Sequence, residues 1–503
     1  MIVRLAFVAG ALWALPAIAD PADGLVRVGY TTPAISYGNP YSRDEGSGLR
    51  NAIFDALTLV ERDGALKPAL AERWRVVDPT TWEFSIRLGV TFSNGEPFDA
   101  AAAAENLNVL MAPEALGTLP RAAELAGVAA VEAVDGLTLR IRTKAPDPLL
   151  ARRLNMLAMV PPKAWKTMGV DAFARAPVGT GPYRLAAWVE DNKRVRLAAS
   201  PSSWRPVADA KAVEVVVLSD PSARIKALLS GQLDIVAGLG PDDLDAVRAA
   251  GFEAVVIGGN SVMSIAFRTV RDDDAPLKDL RVRQALNYAV DKQGIVDAIM
   301  LGTTRVASQG VAFGMPGHNP RLAPVPYDPA KAKAMLAEAG YPSGFPLTIA
   351  VYGGLLPNDS LIFQKLAQDL GAVGIKVELR PMVFADYVRR LFAGDWQGID
   401  AFSNGWLGAG LGDPIRSIDQ FSCRFSAPFF CDESVLPAID ATRTEMDPAR
   451  REALMHTVMA ELNRVGVALW LVEFSAIYGV SPRVADFDTR DVGVKFEELT
   501  FKH

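Results

Sequence analysis

The stretch VEVVVLSDPSARIKALLSGQLDIVAG, residues 213–238, sets a strand, a helix and a second strand in direct succession. Such a unit requires a crossover, and the crossover helix covers one face of a sheet. The punctuation is complete: Asp220 stands at the helix N-cap, Pro221 in its first turn and Gly231 at its stop. A second unit follows the same grammar. In YDPAKAKAMLAEAGY, Asp328 is the cap, Pro329 opens the helix and Gly340 ends it, and the strand LTIAVY (347–352) comes next. Helix SLIFQKLAQDLGAVG and strand IKVELRPM continue the alternation, which runs on over 383–403. The chain is therefore of the α/β class. In its first third, LVRVGY (25–30), TWEFSIRL (81–88) and LTLRIRT (137–143) alternate as strands. Helices are expected from about Leu49 and after the N-cap Asp99. At 503 residues more than one domain is expected. No internal repeat or long linker interrupts the chain.

The first residues, MIVRLAFVAGALWALPAIAD, join a basic start at Arg4 to an apolar run from Leu5 to Leu15. The small-x-small triplet Ala17-Ile18-Ala19 closes it, the pattern of a signal peptide cleaved after Ala19. The run is too short for a membrane anchor, so 1–19 is taken as a signal peptide and the mature chain as an exported, soluble protein. In that oxidising compartment the two cysteines, Cys423 and Cys431, read as a disulfide. Net charge is −6 with both signs interspersed, which leaves no footprint for nucleic acid. The three histidines, His318, His456 and His503, show no ligand spacing, so no metal or other cofactor is expected.

Signatures of catalysis are sparse. There is no Gly-Lys dipeptide and hence no P-loop, no Gly-x-Ser-x-Gly elbow and no His-Glu-x-x-His. GTGPYRL (179–185) is a turn into a strand, because YRLAAWV does not continue as a helix. Asp242-Asp243 and Asp272-Asp273-Asp274 read as solvated surface. Binding is the default function, with a secreted α/β hydrolase acting on a peptide or glycan as the alternative.

Several segments together resemble the peptide/nickel family of periplasmic solute-binding proteins, the extracytoplasmic receptors of ABC importers. They are LVERDGALKPALAERWRVVDPTTWEFSIRLGVTFSNGEPFDAAAAAENL, VGTGPYRL, ARIKALLSGQLDIV, LKDLRVRQALNYAVDKQGIV and YDPAKAKAMLAEAGY. Their order and spacing cover essentially the whole mature chain. Within them Asp279, Arg281, Arg283 and Gln284 are expected to fix a helix and not to touch ligand. The resemblance implies two lobes of mixed sheets with a ligand cleft between them and an extra subdomain packed on the first. Mapped here, lobe I takes 20–50, 175–262 and 482–503, the subdomain 51–174 and lobe II 263–481. It further implies a small-molecule or short-peptide ligand, ABC permease subunits as partners and a monomer.

The segment NGWLGAGLGDP (404–414) crowds glycines behind a tryptophan and reads as a loop with little to bury an indole against. The resemblance places Gly405 and Trp406 at the cleft, with Trp406 as the ligand's apolar wall. It adds Tyr387, the loop of Ser36, Tyr37 and Tyr41, and Asn155 and Met156. Two departures bear on the ligand. Peptide-binding relatives carry an aspartate shortly before the Asp/Glu-Pro that pairs with the peptide's α-amino group. Here no acid separates Trp406 from Asp413, which is the remaining candidate for that role. The nickel-chelate branch places an arginine within the segment matching LNMLAMVPP and a tryptophan near Arg121; this chain has neither.

Overall fold

The computed structural model describes residues 24–34, 36–42, 48–189, 193–271, 273–354, 356–408, 410–490 and 493–502. The signal segment and its cleavage site at Ala19 lie outside the described residues. One sheet of ten strands runs through both lobes. From edge to edge its order is Lys376–Met382, Pro346–Tyr352, Ala401–Leu407, Glu253–Phe267, Ala468–Val480, Ile235–Ala237, Leu25–Tyr30, Ala212–Val217, Arg194–Ala199 and Tyr183–Val189. The two long central strands, Glu253–Phe267 and Ala468–Val480, pair antiparallel and carry the chain between the lobes. Their register slips between Gly258 and Val262 and again between Val262 and Ser264. A bulge breaks the ladder and bends the strand, and it falls on the crossover pair that the resemblance makes the hinge.

Lobe I is built on three parallel strands, Leu25–Tyr30 between Ala212–Val217 and Ile235–Ala237. The crossover helix Pro221–Leu229 forms as its punctuation requires, with Asp220 accepting from the Ala223 amide at 2.7 Å. The subdomain is a four-stranded antiparallel sheet in which Thr81–Ile86 and Thr138–Thr143 are central. Helix Ala100–Met111 is capped by Asp99, whose side chain accepts from the Ala102 amide at 2.8 Å. Gly179 and Gly181 explain the GTGPYR stretch: a Cβ on either would lie 2.0–2.5 Å from the carbonyl oxygens of Ile53 and Ala52. Only glycine lets the strand start press on the end of helix Leu49–Ile53.

Lobe II stacks the parallel strands Lys376–Met382, Pro346–Tyr352 and Ala401–Leu407 between two apolar layers. Arg283 holds helix Leu280–Ala289 by donating to the carbonyls of Leu277, Lys278, Val465 and Gly466 at 2.8–3.0 Å. Asp279 caps the same helix through the Arg281 amide. Ile477, Tyr478 and Val480 pack in the apolar clusters of lobe I, because the second crossover strand already pairs with Ile235–Ala237 there.

Cys423 and Cys431 form a disulfide. Closing so short a loop contributes about 2–3 kcal/mol in the chain-entropy model. Both thiols are expected to resist alkylation in unfolded, unreduced protein and to label only after reduction; free labelling without reductant would refute the bridge.

Candidate ligand cleft

In open α/β sheets ligands sit beyond the carboxyl ends of the strands. Here the carboxyl ends of the two lobes face each other. Asn358, just past strand Pro346–Tyr352, donates from Nδ2 to Asp242 Oδ2 at 2.9 Å, and Asp242 lies just past strand Ile235–Ala237. Asn358 holds the left-handed conformation (φ 60°), which asparagine tolerates better than most residues. On the lobe II side, Val383, Phe384 and Leu407 stand at the ends of two of the parallel strands and are 66%, 60% and 53% exposed. An apolar trio of this exposure at strand ends offers a wall to a ligand.

The segment after Trp406 forms the second contact between the lobes. Asn155 donates from Nδ2 to the Gly410 carbonyl at 2.9 Å, while its Oδ1 accepts from the Val60 amide at 3.1 Å. Arg152 Nη1 reaches three carbonyls, Gly64 at 2.7 Å, Leu411 at 3.0 Å and Gly412 at 3.4 Å. Burial pulls the Arg152 guanidinium below its ordinary pKa range, and the nearby Asp413 charge works against that. Met156 and Leu149 of the subdomain join Leu411 and Ile415 of lobe II in one small apolar cluster. Arg416 adds an ion pair to Glu124. The glycines are required by the closeness: Gly412 has φ +57°, and a Cβ there would sit 2.9 Å from Arg152 Nη1, Gly64 Cα and Val60 Cγ1. The lobes are thus latched on both sides of the cleft.

The expected site residues divide into three groups. Asn155 and Met156 lie in the latch, as does the segment leading to Asp413. Asp413 itself is buried and already paired: its carboxylate takes Arg451 Nη1 at 2.5 Å and Nη2 at 3.2 Å and the Ile415 amide at 3.0 Å. A bidentate guanidinium leaves little for a ligand ammonium, which corrects the role offered to it.

Trp406, Gly405 and Tyr387 form a layer inside lobe II. Residues 401–407 are a strand, against the loop expected for the whole glycine-rich stretch, and the loop begins only at Gly408. Trp406 is 0% exposed. Phe421 lies 4.3 Å and Trp470 4.9 Å from its ring, and Gly310 seats against its face so closely that a Cβ would meet it at 2.2 Å. The packing that a ligand was expected to supply comes from the protein. Tyr387 is likewise interior: its hydroxyl donates to Asn404 Oδ1 at 2.7 Å, its ring lies 4.3 Å from Tyr352, and burial raises its pKa well above the ordinary value.

Tyr41 is 1% exposed within the lobe I and subdomain core, donating to Asn106 Oδ1 at 3.0 Å and packing edge-on to Trp165. Its place in that core corrects the expectation of a cleft-facing ring. Tyr37 packs edge-on against Trp188 at 5.1 Å beneath the Arg175 guanidinium. Arg152, Asn358 and Gly412 were not singled out from sequence. The one available signal was Arg152 a turn before Asn155 on helix Leu150–Leu154.

Two lobes on a shared sheet, a bulged crossover pair and latches on either side of the strand ends define a two-lobed binding protein. The family model for bacterial extracellular solute-binding proteins, family 5, middle region, matches residues 65–426. The chain belongs to the family 5 extracellular solute-binding proteins. The nickel-binding periplasmic protein of Escherichia coli K12 is 32% identical over 304 residues, 58% of this chain and 56% of that protein, so the match spans just over half of that relative. The glutathione-binding protein GsiB of Salmonella choleraesuis is 27% identical over 475 residues, 89% of this chain and 88% of that one. Among solved structures, NikA from Brucella suis in complex with Fe(III)-EDTA superimposes with a TM-score of 0.83 at 26% identity, covering 95% of this chain and 100% of that one. DppA from Helicobacter pylori in complex with the peptide STSA gives 0.79 at 20% identity, a likeness of fold. No helix among the described residues is long and apolar enough to cross a membrane.

Proposed function

We propose that this protein is the periplasmic receptor of an ABC importer, which captures a small peptide or peptide-like polar metabolite by lobe closure and delivers it to membrane permease subunits. The observation that carries the reading is the latch itself. Subdomain side chains Arg152 and Asn155 bind backbone carbonyls of the lobe II segment 410–412 beside the hinge and the facing strand ends. A contact of this kind forms only when the lobes meet, so a solute that fills the cleft shifts the population toward the latched form.

The chemistry narrows the solute. With Asp413 engaged by Arg451, a peptide's α-ammonium has to be held elsewhere. The described residues include no group of three or more His, Cys, Asp or Glu that could hold a metal ion. Metal would therefore enter as a chelate whose organic part makes the contacts. Val383, Phe384 and Leu407 favour a solute with one apolar face. We read the chain as a binder and not as a hydrolase, in line with relatives named as binding proteins.

The test is mass spectrometry of the solute released on denaturing the purified protein, followed by calorimetry with that solute and with di- and tripeptides, glutathione and nickel–histidine. Binding of a peptide-like compound that is returned intact after long incubation is the expected result. Cleavage of the bound compound would move the protein to the hydrolase reading. Exported material is expected to begin at Asp20, and N-terminal sequencing that finds Met1 on it would remove the assignment of a cleaved signal.

A further inference from the structure

The four residues expected to fix helix Leu280–Ala289 do not share that work equally. Asp279 and Arg283 hold the helix as described above, and Arg281 donates from Nη1 to the Glu338 carbonyl at 2.9 Å. Gln284 is left over: its partly exposed side chain has no hydrogen-bond partner among the described residues. It lines a cavity of about 280 Å³ bordered by this helix, by helix Pro329–Glu338 and by the start of strand Ala468–Val480. That volume is just under the roughly 300–1,000 Å³ of sites that take a small organic molecule. Ala468 pairs with Ala266, and Ala266 pairs with Phe402 at the amino end of strand Ala401–Leu407. The cavity therefore lies at the end of lobe II opposite the cleft.

The charges around it are one-sided. Lys331 Nζ donates to the Tyr288 hydroxyl at 2.8 Å and lies 3.9 Å from the centroid of that ring. Both residues line the cavity, and Lys331 has no carboxylate partner among the described residues. Lys292, 3% exposed, stands behind the wall: its Nζ donates to the carbonyls of two lining residues, Asn287 at 2.8 Å and Val325 at 3.2 Å. Burial without a counter-charge pulls its ammonium down to about 7. Among the described residues no aspartate or glutamate lines the cavity. Asp328, three residues before Lys331, is engaged as the cap of its helix. A buried cation without a partner is costly, so the cavity favours a group that carries negative charge. Val325 and Met335 supply an apolar side, over a floor that includes the buried Trp470. We propose that this cavity is a second small-molecule site, which takes a carboxylate with a compact apolar body: Lys331 and the Gln284 amide hold the carboxylate, and Val325 and Met335 cover the body. The site stands on its own geometry and does not depend on the solute proposed above.

The test uses the full mature chain as purified, with its cleft solute in place, so that binding in the cleft does not enter the reading. Benzoate is titrated by calorimetry into the wild type and into Lys331→Met. Benzyl alcohol, which keeps the ring but not the charge, is titrated into the wild type. Saturable benzoate binding, a loss of about tenfold or more in the variant and no measurable binding of the alcohol are expected, since charge-assisted hydrogen bonds are the strong ones. Lys331 is an exposed residue, so the substitution is expected to leave the fold intact. Crystals of the unmodified chain soaked with 4-bromobenzoate give a readout that does not need the variant. Anomalous bromine density beside Val325 and Met335, with the carboxylate within hydrogen-bond reach of Lys331 Nζ, supports the site. Equal benzoate binding by wild type and variant, equal binding of the alcohol, or bromine found only elsewhere overturns the proposal. So does density in the soaked crystals without saturable binding in solution, which is binding at crystal concentration only. None of these outcomes touches the receptor function.

Discussion

Trp406→Ala is expected to destabilise the ligand-free protein by about 3–5 kcal/mol, the range for truncating a large buried aromatic. The indole is fully enclosed, with Phe421 and Trp470 on two sides and Gly310 against its face. Deleting it leaves a hole bounded by strands and rings that have little freedom to collapse. Its Nε1–H is buried without an acceptor, so Trp406→Phe keeps most of the packing and removes an unsatisfied donor; it is expected to cost much less. Urea unfolding of both variants without solute is the measurement. A near-wild-type midpoint for Trp406→Ala would show that the indole is not core and would restore it to the cleft wall. If the large loss is found, any weakening of solute binding in that variant has to be judged on protein shown to be folded.

The contrast between Trp406 and Asp220 shows what a sequence can carry. Asp220, Pro221 and Gly231 announce a helix because caps and stops act within a few residues of the chain, and that helix is present from Pro221 to Leu229. The same holds for Asp99, Asp279 and Asp328, each of which caps the helix it precedes. Local rules of this kind made the α/β class legible, and the family motifs made the two lobes legible. Trp406 was misplaced because its burial depends on Phe421, Trp470 and Gly310, none of which is its neighbour in sequence. The strand Ala401–Leu407 accommodates Gly405 opposite Met263 of the long crossover strand, whose ladder supplies the order that glycine lacks. Asp413 looked available for the same reason: Arg451, which occupies it, lies on a helix 38 residues away. Asn155 and Met156 were placed at the cleft by resemblance, yet Arg152 does more of the bridging from the short helix just before them. A side chain that binds carbonyls of a distant loop leaves no pattern in the sequence.

The second large effect belongs to that bridge. Arg152→Ala is expected to weaken solute binding by about 10- to 100-fold while changing the stability of the solute-free protein far less. Two of the carbonyls that Arg152 reaches, Leu411 and Gly412, belong to the opposite lobe. Those bonds exist only in the latched form; when the lobes part, guanidinium and carbonyls alike return to water. Both bonds leave the same Nη1 and the one to Gly412 is long at 3.4 Å, so together they count as about one hydrogen bond to a charged group, roughly 1.5–3 kcal/mol, and 1.4 kcal/mol is a factor of ten in affinity. The contribution enters the closing equilibrium, and a solute that binds the closed form loses affinity in proportion. Gly412→Val tests the same contact from the other side. It puts a branched side chain where a bare Cβ would already sit 2.9 Å from Arg152, Gly64 and Val60, at a φ of +57°. Closure is then blocked sterically, and affinity is expected to fall further than in Arg152→Ala. Calorimetry with the co-purified solute reads the affinities, and small-angle scattering with and without solute reads closure. Wild-type affinity in both folded variants would show that this latch takes no part in capture.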